Sequence, residues 1–195
     1  MKNYTFRYGD GTVDIPLDEK NVLGELHGNR FPAIESIPTA LDDALNHSID
    51  APALKDWLEP GDRVCLVISD MSRFWMRQDK VIPPLVDYMN RSGIPDGQIT
   101  ILVANGTHLG GDEQELRTLV TDGVYDRVRV VNHDCLAKDL VYLGTTAHDT
   151  PVWINAEAAH ADRVICLGAC THHVMAGFGG GRKSILPGIS GMETI

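Results

Sequence analysis

The chain has 195 residues, 43% hydrophobic and 23% charged, values ordinary for a folded domain and too apolar for a disordered tail. A formal charge of −10, with none of the 17 Lys and Arg residues gathered in a run, argues against nucleic-acid binding, which needs clustered cations along the phosphates. No stretch approaches the ~20 apolar residues of a membrane span, and the opening residues have no apolar signal core, so a cytoplasmic protein with no membrane partner is expected.

In chain order, residues 3–8 and 12–16 read as two strands joined through Gly9-Asp10-Gly11, a strong hairpin signal. Residues 22–26 are expected to add another short strand, before a connecting region carrying Pro32, Pro38 and Pro52. Within that region, residues 39–46 place Ala40, Leu41, Ala44 and Leu45 on one side of a short helix with Thr39 as its cap. Residues 51–58 read as a second helix, closed by Pro60-Gly61, and His27 and His47 stand alone as surface or structural residues.

From Arg63 onward, apolar runs alternate with helical spacing. Residues 63–69, 98–104, 127–131 and 163–167 are predicted strands, and residues 81–91 and 113–120 predicted helices. Pro83 and Pro84 belong in the first turn of the earlier helix, where a missing N–H does little harm. Residues 140–143 and 151–155 are expected as an added hairpin or edge pair. Strands alternating with helices imply βαβ units, hence an α/β fold: a Rossmann-like three-layer domain with a mainly parallel sheet, preceded by the N-terminal β-hairpin. Of the four cysteines, Cys65 and Cys166 fall inside apolar runs, where a reduced thiol acts as a small hydrophobe, and no C-x-x-C pair suggests zinc.

Each of the four long apolar runs is followed at once by a polar cluster. These are Asp70, Ser72 and Arg73; then Asn105, Gly106, Thr107 and His108; then Asn132, His133 and Asp134; and last the loop with Thr171, His172 and His173. An open parallel sheet binds ligands outside the carboxyl ends of its strands, so the four clusters should converge. The last cluster runs into Gly177, Gly179, Gly180 and Gly181, followed by Arg182 and Lys183. Glycines let backbone N–H groups turn toward an anion, and a short helix over residues 180–186 is expected to add its N-terminal field. The spacing only loosely approaches a phosphate-binding P-loop.

Such a site would suit a small anionic substrate. Two histidines from different strand ends can exchange protons with it near neutral pH, and Arg73 offers a planar fork for a carboxylate or phosphate. Lys183 is a phosphate ligand or, if desolvated, a point of covalent attachment. His133-Asp134 reads as structural, and of the adjacent His172 and His173 one is expected to face the ligand. Three classes stay open from the residues alone: an acid–base enzyme, a nucleotide or phosphate-binding module with incidental histidines, and a metal-dependent hydrolase using His108, His133 and His173.

Asp70-x-Ser72-Arg73, Gly106-Thr107-His108, His133-Asp134 and the long motif from His173 through Ala176-Gly177-Phe178, Gly180-Gly181 and Lys183 to Pro187-Gly188 closely resemble the N-terminal domain of nickel-pincer-dependent lactate racemases and related 2-hydroxyacid racemases and epimerases. The resemblance covers nearly the whole chain. It implies that His108 and His173 are the catalytic proton shuttles, that Arg73 binds the substrate carboxylate, and that Asp70 helps orient the site. It also implies a nickel-pincer nucleotide, its nickel held by sulfur, carbon and sulfur, tethered covalently to Lys183 and cradled by Gly179, Gly180 and Gly181. The partners implied are a small 2-hydroxy acid and the proteins that make the cofactor, with a homodimer open. Two positions depart from the family pattern: Gly179 replaces the usual serine, and Leu109 stands where arginine is frequent, which leaves the choice of acid open. Family members are longer, and their nickel-ligating histidine would fall just past Ile195. Residues 1–195 are therefore expected to be the N-terminal domain of a two-domain enzyme, inactive alone and with no metal ligand of their own.

Overall fold

Strand β1 (Lys2–Tyr8) pairs antiparallel with β2 (Gly11–Leu17), from Lys2 opposite Leu17 to Tyr8 opposite Gly11, in a computed structural model that describes residues 1–195. Gly9 turns the chain at φ +56°, a left-handed conformation that glycine adopts without steric cost. The hairpin belongs to a separate unit, Met1–Ile34, in which no residue is buried. Residues 22–26 are irregular rather than a strand. Glu25 is drawn to Lys2 by a 2.7 Å ion pair, and Leu23 stands fully exposed with no strand to pair with.

The second unit, Glu35–Ile195, opens with α1 (Ile37–Asn46) and α2 (Leu54–Trp57). The α1 cap is Ser36, whose hydroxyl accepts from the Thr39 N–H, rather than Thr39 itself. Pro38 fits the first turn, where no N–H is needed, and this moves the start of the helix toward the N-terminus.

The core follows from strict alternation along two central strands, β3 (Val64–Ser69) and β4 (Ile99–Ala104), which flank α3 (Ile82–Arg91) in sequence. Val64, Leu66 and Ile68 of β3, with Ile99, Ile101 and Val103 of β4, face one side. There they pack on Ile82, Leu85, Val86 and Met89 of α3, on Leu116, Leu119 and Val120 of α4 (Glu113–Val120), and on Val124 of α5 (Asp122–Tyr125). Cys65, Val67 and Leu102 face the other side. They meet Ile154 at the end of β7 (Pro151–Ile154), Ala158 of α6 (Ala156–Ala159) and Ile189. Two apolar faces on one sheet require a layer on each, giving the expected three-layer α/β domain, with the α6 side the thinner.

Two further strands complete a four-stranded, wholly parallel sheet: β5 (Arg129–Asn132) beside β4, and β8 (Arg163–Cys166) beside β3, in the order β5-β4-β3-β8. β5 begins later than the apolar run suggested. The Arg127 guanidinium is tied to Asp87, Asp96 and Asn90, which keeps it in the turn. As an edge strand β8 buries little, and Cys166 is exposed rather than packed as a small hydrophobe; Cys65, in the centre, is buried, and its thiol is pushed up to about 12 by that burial. Strand β6 (Val141–Thr145) and β7 form the added hairpin. No helix is long and apolar enough to cross a membrane.

Candidate active site

The chain leaves β3 toward β4 and β5, then returns to place β8 on the opposite side of β3. The crevice of an open parallel sheet lies at such a reversal, outside the carboxyl ends of the strands. An open cleft occupies that position. Arg73, His108, His173, Gly179, Gly180 and Lys183 all line it, so three of the four polar clusters meet; the fourth, Asn132, His133 and Asp134, stays outside the lining because His133 is buried against the Ser190 carbonyl.

Glycines and one proline-glycine step assemble the floor. Gly106, at φ +56°, packs on Pro187, and its N–H donates to the Gly188 carbonyl at 2.9 Å, joining the β4 end to the lysine-bearing loop. Gly180, at φ +69°, lies so near the Ala169 carbonyl that a Cβ would sit 2.8 Å from its oxygen. The segment over residues 180–186 is not an α-helix. Only Gly181–Ser184 coil, as one short 3-10 turn, because Gly180 and Gly181 both take positive φ. Positive potential in the cleft comes from Arg73 and Lys183 rather than from a helix end.

Asp70 stands first after β3, buried, and its carboxylate does not reach the cleft lining. Its Oδ2 is 2.5 Å from His108 Nδ1, while Oδ1 accepts from the Ser72 hydroxyl at 2.5 Å and from Arg73 at 3.5 Å. Burial alone would raise the Asp70 carboxyl, but the Ser72 and His108 hydrogen bonds, with the charges of His108 and Arg73, outweigh it and hold it below its ordinary value. Asp70 thus backs His108 instead of touching the glycine cradle. The half-buried Lys183 ammonium is shifted the other way, held below its usual range first by burial and then by the nearby Arg73 charge, with Asp70 partly opposing. A lysine depressed in this way is a better nucleophile than a solvated one.

His173 lies on β9 (His172–His173), which pairs with β10 (Gly177–Phe178) in a minimal hairpin. Its Nδ1 accepts from the backbone N–H groups of Met175 and Ala176 at 3.2 and 3.1 Å. His172 points away and stacks on Phe178, with ring centroids 5.2 Å apart. Gly181 lies outside the lining.

His133 is buried and works as structure. Its backbone N–H donates to Asn105 Oδ1, and its Nε2 lies 2.9 Å from the Ser190 carbonyl. Nδ1 faces the Asn155 amide at 3.2 Å. Because Ser190 offers an acceptor, Nε2 carries the proton and Nδ1 accepts. Burial lowers the His133 pKa, against smaller opposite pulls from the Ser190 carbonyl and Asp134, which keeps the ring neutral. Ile189 and Gly191 bond to Asn155 and Trp153 beside β7, so His133 helps clamp the loop that follows Lys183. A metal site of His108, His133 and His173 does not form, since His133 is committed elsewhere and no three His, Cys, Asp or Glu side chains cluster closely enough to hold an ion.

The lactate racemase N-terminal domain family matches residues 8–195. The chain belongs to that family. Lactate racemase of Lactiplantibacillus plantarum is 29% identical over 96% of this chain and 45% of its own length. Lactate racemase of Thermoanaerobacterium thermosaccharolyticum is 27% identical over 100% of this chain and 46% of its own. The chain therefore spans less than half the length of these relatives. The solved lactate racemase apoprotein from T. thermosaccharolyticum superimposes with a TM-score of 0.84 at 28% identity, covering 97% of this chain and 44% of that one. A Thermotoga maritima protein, 22% identical with a TM-score of 0.61 over 80% of this chain and 38% of its own, shares the fold.

Family membership fits the residues that pattern alone brought forward, but the cleft also has walls that the sequence reading passed over. Trp75 and Met76, on the 3-10 segment Met71–Met76, line it beside Arg73. A tryptophan two residues after Arg73, within the polar cluster that follows β3, was the available signal.

Proposed function

We propose that this chain is the N-terminal, cofactor-bearing domain of a two-domain racemase or epimerase of 2-hydroxy acids. The observation that carries the reading is the presence of His108 and His173 in the walls of one cleft with Arg73 and Lys183. When the α-hydrogen leaves as hydride, the hydroxyl proton of either enantiomer needs a base within reach, which a histidine on each side would supply while a carboxylate anchor keeps the substrate between them. The whole-length relatives are lactate racemases, and the solved one is described as an apoprotein, which supports a bound prosthetic group in that relative.

A nickel-pincer nucleotide fits the residues present. Gly179 and Gly180 line the cleft with backbone alone, which leaves a flat group free to lie against it, and the depressed Lys183 amine suits a covalent tether. When bound, that group would supply a hydride acceptor. The chain's own residues do the rest. Arg73 holds the acid by its carboxylate, His108 takes the hydroxyl proton at Nε2 with Asp70 balancing the charge it gains, and His173, lining the same cleft, serves the opposite hand. The walls of Thr107, Trp75 and Met76 restrict water on one side.

The test is expression at full length together with the cofactor-making proteins. Expected are a mass adduct that Lys183→Ala abolishes, stoichiometric nickel, and racemisation or epimerisation of at least one 2-hydroxy acid. The 195-residue chain by itself should turn over none. No adduct on Lys183 together with no inversion of any acid tried would defeat the reading.

A further inference from the structure

Two histidines in one cleft need not be equivalent, and the ring nitrogens here differ in what they touch. His108 Nδ1 meets Asp70 Oδ2 at 2.5 Å, and Asp70 already receives Ser72 and Arg73 on its other oxygen. An ionised carboxylate can only accept, so the His108 proton sits on Nδ1 and Nε2 keeps a bare lone pair. An aspartate fixes a catalytic imidazole in the same way in the Ser-His-Asp triad. His173 is arranged in reverse. Its Nδ1 faces two backbone donors, the N–H groups of Met175 and Ala176. Two donors require an acceptor between them, so in the neutral ring Nδ1 is bare and the proton sits on Nε2.

We propose that Asp70 is a positioning residue that makes His108 the ready base of the pair, while turn 174–176 holds His173 in the opposite, idle tautomer. The inference deepens the racemase reading and rests on it for its catalytic consequence. A substrate hydroxyl on the His108 side loses its proton directly: the O–H bond breaks, an N–H bond forms at Nε2, and Asp70 offsets the imidazolium. On the His173 side Nε2 already carries hydrogen. Taking a proton there means protonating Nδ1 against two N–H groups or moving the ring off them, and giving one up would leave an imidazolate. The two hands of the substrate therefore meet unequal bases until the turn built on Gly177, at φ +75°, rearranges.

Long-range proton–nitrogen correlation spectra of the nitrogen-15-labelled chain, at about pH 8 where unperturbed imidazoles are neutral, read each tautomer directly. The expected spectrum has His108 protonated at Nδ1 and His173 at Nε2. Asp70→Asn, whose amide can donate as well as accept, should move His108 off its single tautomer and leave His173 unchanged. Finding His108 protonated at Nε2, His173 protonated at Nδ1, or either ring averaged in the wild-type chain overturns the proposal, and so does a folded Asp70→Asn variant with an unaltered His108. If that variant does not fold, the wild-type spectrum decides. Failure of the full-length protein to invert any acid would sink the racemase reading while leaving these ring assignments intact, so the two failures are distinguishable.

Discussion

Replacing His133 with alanine tests whether the loop behind Lys183 is clamped through that ring. The side chain is 1% exposed, so truncation leaves a void in a packed interior and removes the ring donor that meets the Ser190 carbonyl at 2.9 Å. The lost packing contributes about 2 kcal/mol. The carbonyl left without a partner adds about 1–2 kcal/mol. The sum, about 3–4 kcal/mol, corresponds to a fall in Tm of about 10 °C for a domain of this size. Urea melts at pH 7.5 should show the loss in midpoint with little change in slope. The difference should also depend on pH. The His133 pKa is lowered in the fold from its ordinary 6.5, so the unfolded chain binds a proton there that the native chain does not. That contribution is fully present above pH 6.5 and is lost as pH falls below it toward the native value, so the gap between wild type and variant should narrow on acidification. A loss under about 1 kcal/mol, or a gap that does not change with pH, would refute this account of how the loop is held.

Other outcomes follow from the same structure. Gly188→Ala would set a Cβ 2.1 Å from the Ser184 carbonyl oxygen, where no side chain can yield, and should cost at least about 2 kcal/mol in denaturant melts while loosening the contact to Gly106. Leu66→Ala, at a fully buried site on the central strand, should cost about 3–5 kcal/mol in the same assay. The Asp70 carboxyl is lowered from its ordinary 3.8, so its contribution to stability should be intact above that pH and disappear as pH falls below it; acid titration of Asp70→Asn should lack this component. In the full-length protein, Arg73→Lys should raise KM for a 2-hydroxy acid more than it lowers kcat, since an ammonium lacks the two-pronged grip of a guanidinium.

Much of the fold was legible because its signals are local. The runs through Leu66 and Leu102 are apolar on both faces, which only a sandwiched parallel strand explains, and α4 begins and ends at the residues its spacing predicted. The failures were also local. Residues 22–26 had strand-like residues and no strand beside them, and a β-strand needs a neighbour that short-range pattern does not report. The helix expected over residues 180–186 gave way to a 3-10 turn because two successive glycines preferred positive φ to helical geometry. At the site, Arg73, His108, His173 and Lys183 could be proposed from their place after strands, whereas the partners of each nitrogen could not, since Asp70 and His108 are 38 positions apart.

By itself the sequence determined the α/β class, the strand ends at which chemistry collects, and the long glycine-rich motif of the family, because periodicity and spacing are properties of neighbouring residues. Only the tertiary structure decided that Asp70 stands behind His108 and not in the cleft, that His133 clamps a loop, and that the two cleft histidines face unlike partners. Proton positions depend on contacts a few ångströms long between residues far apart in the chain, and folding alone brings those together.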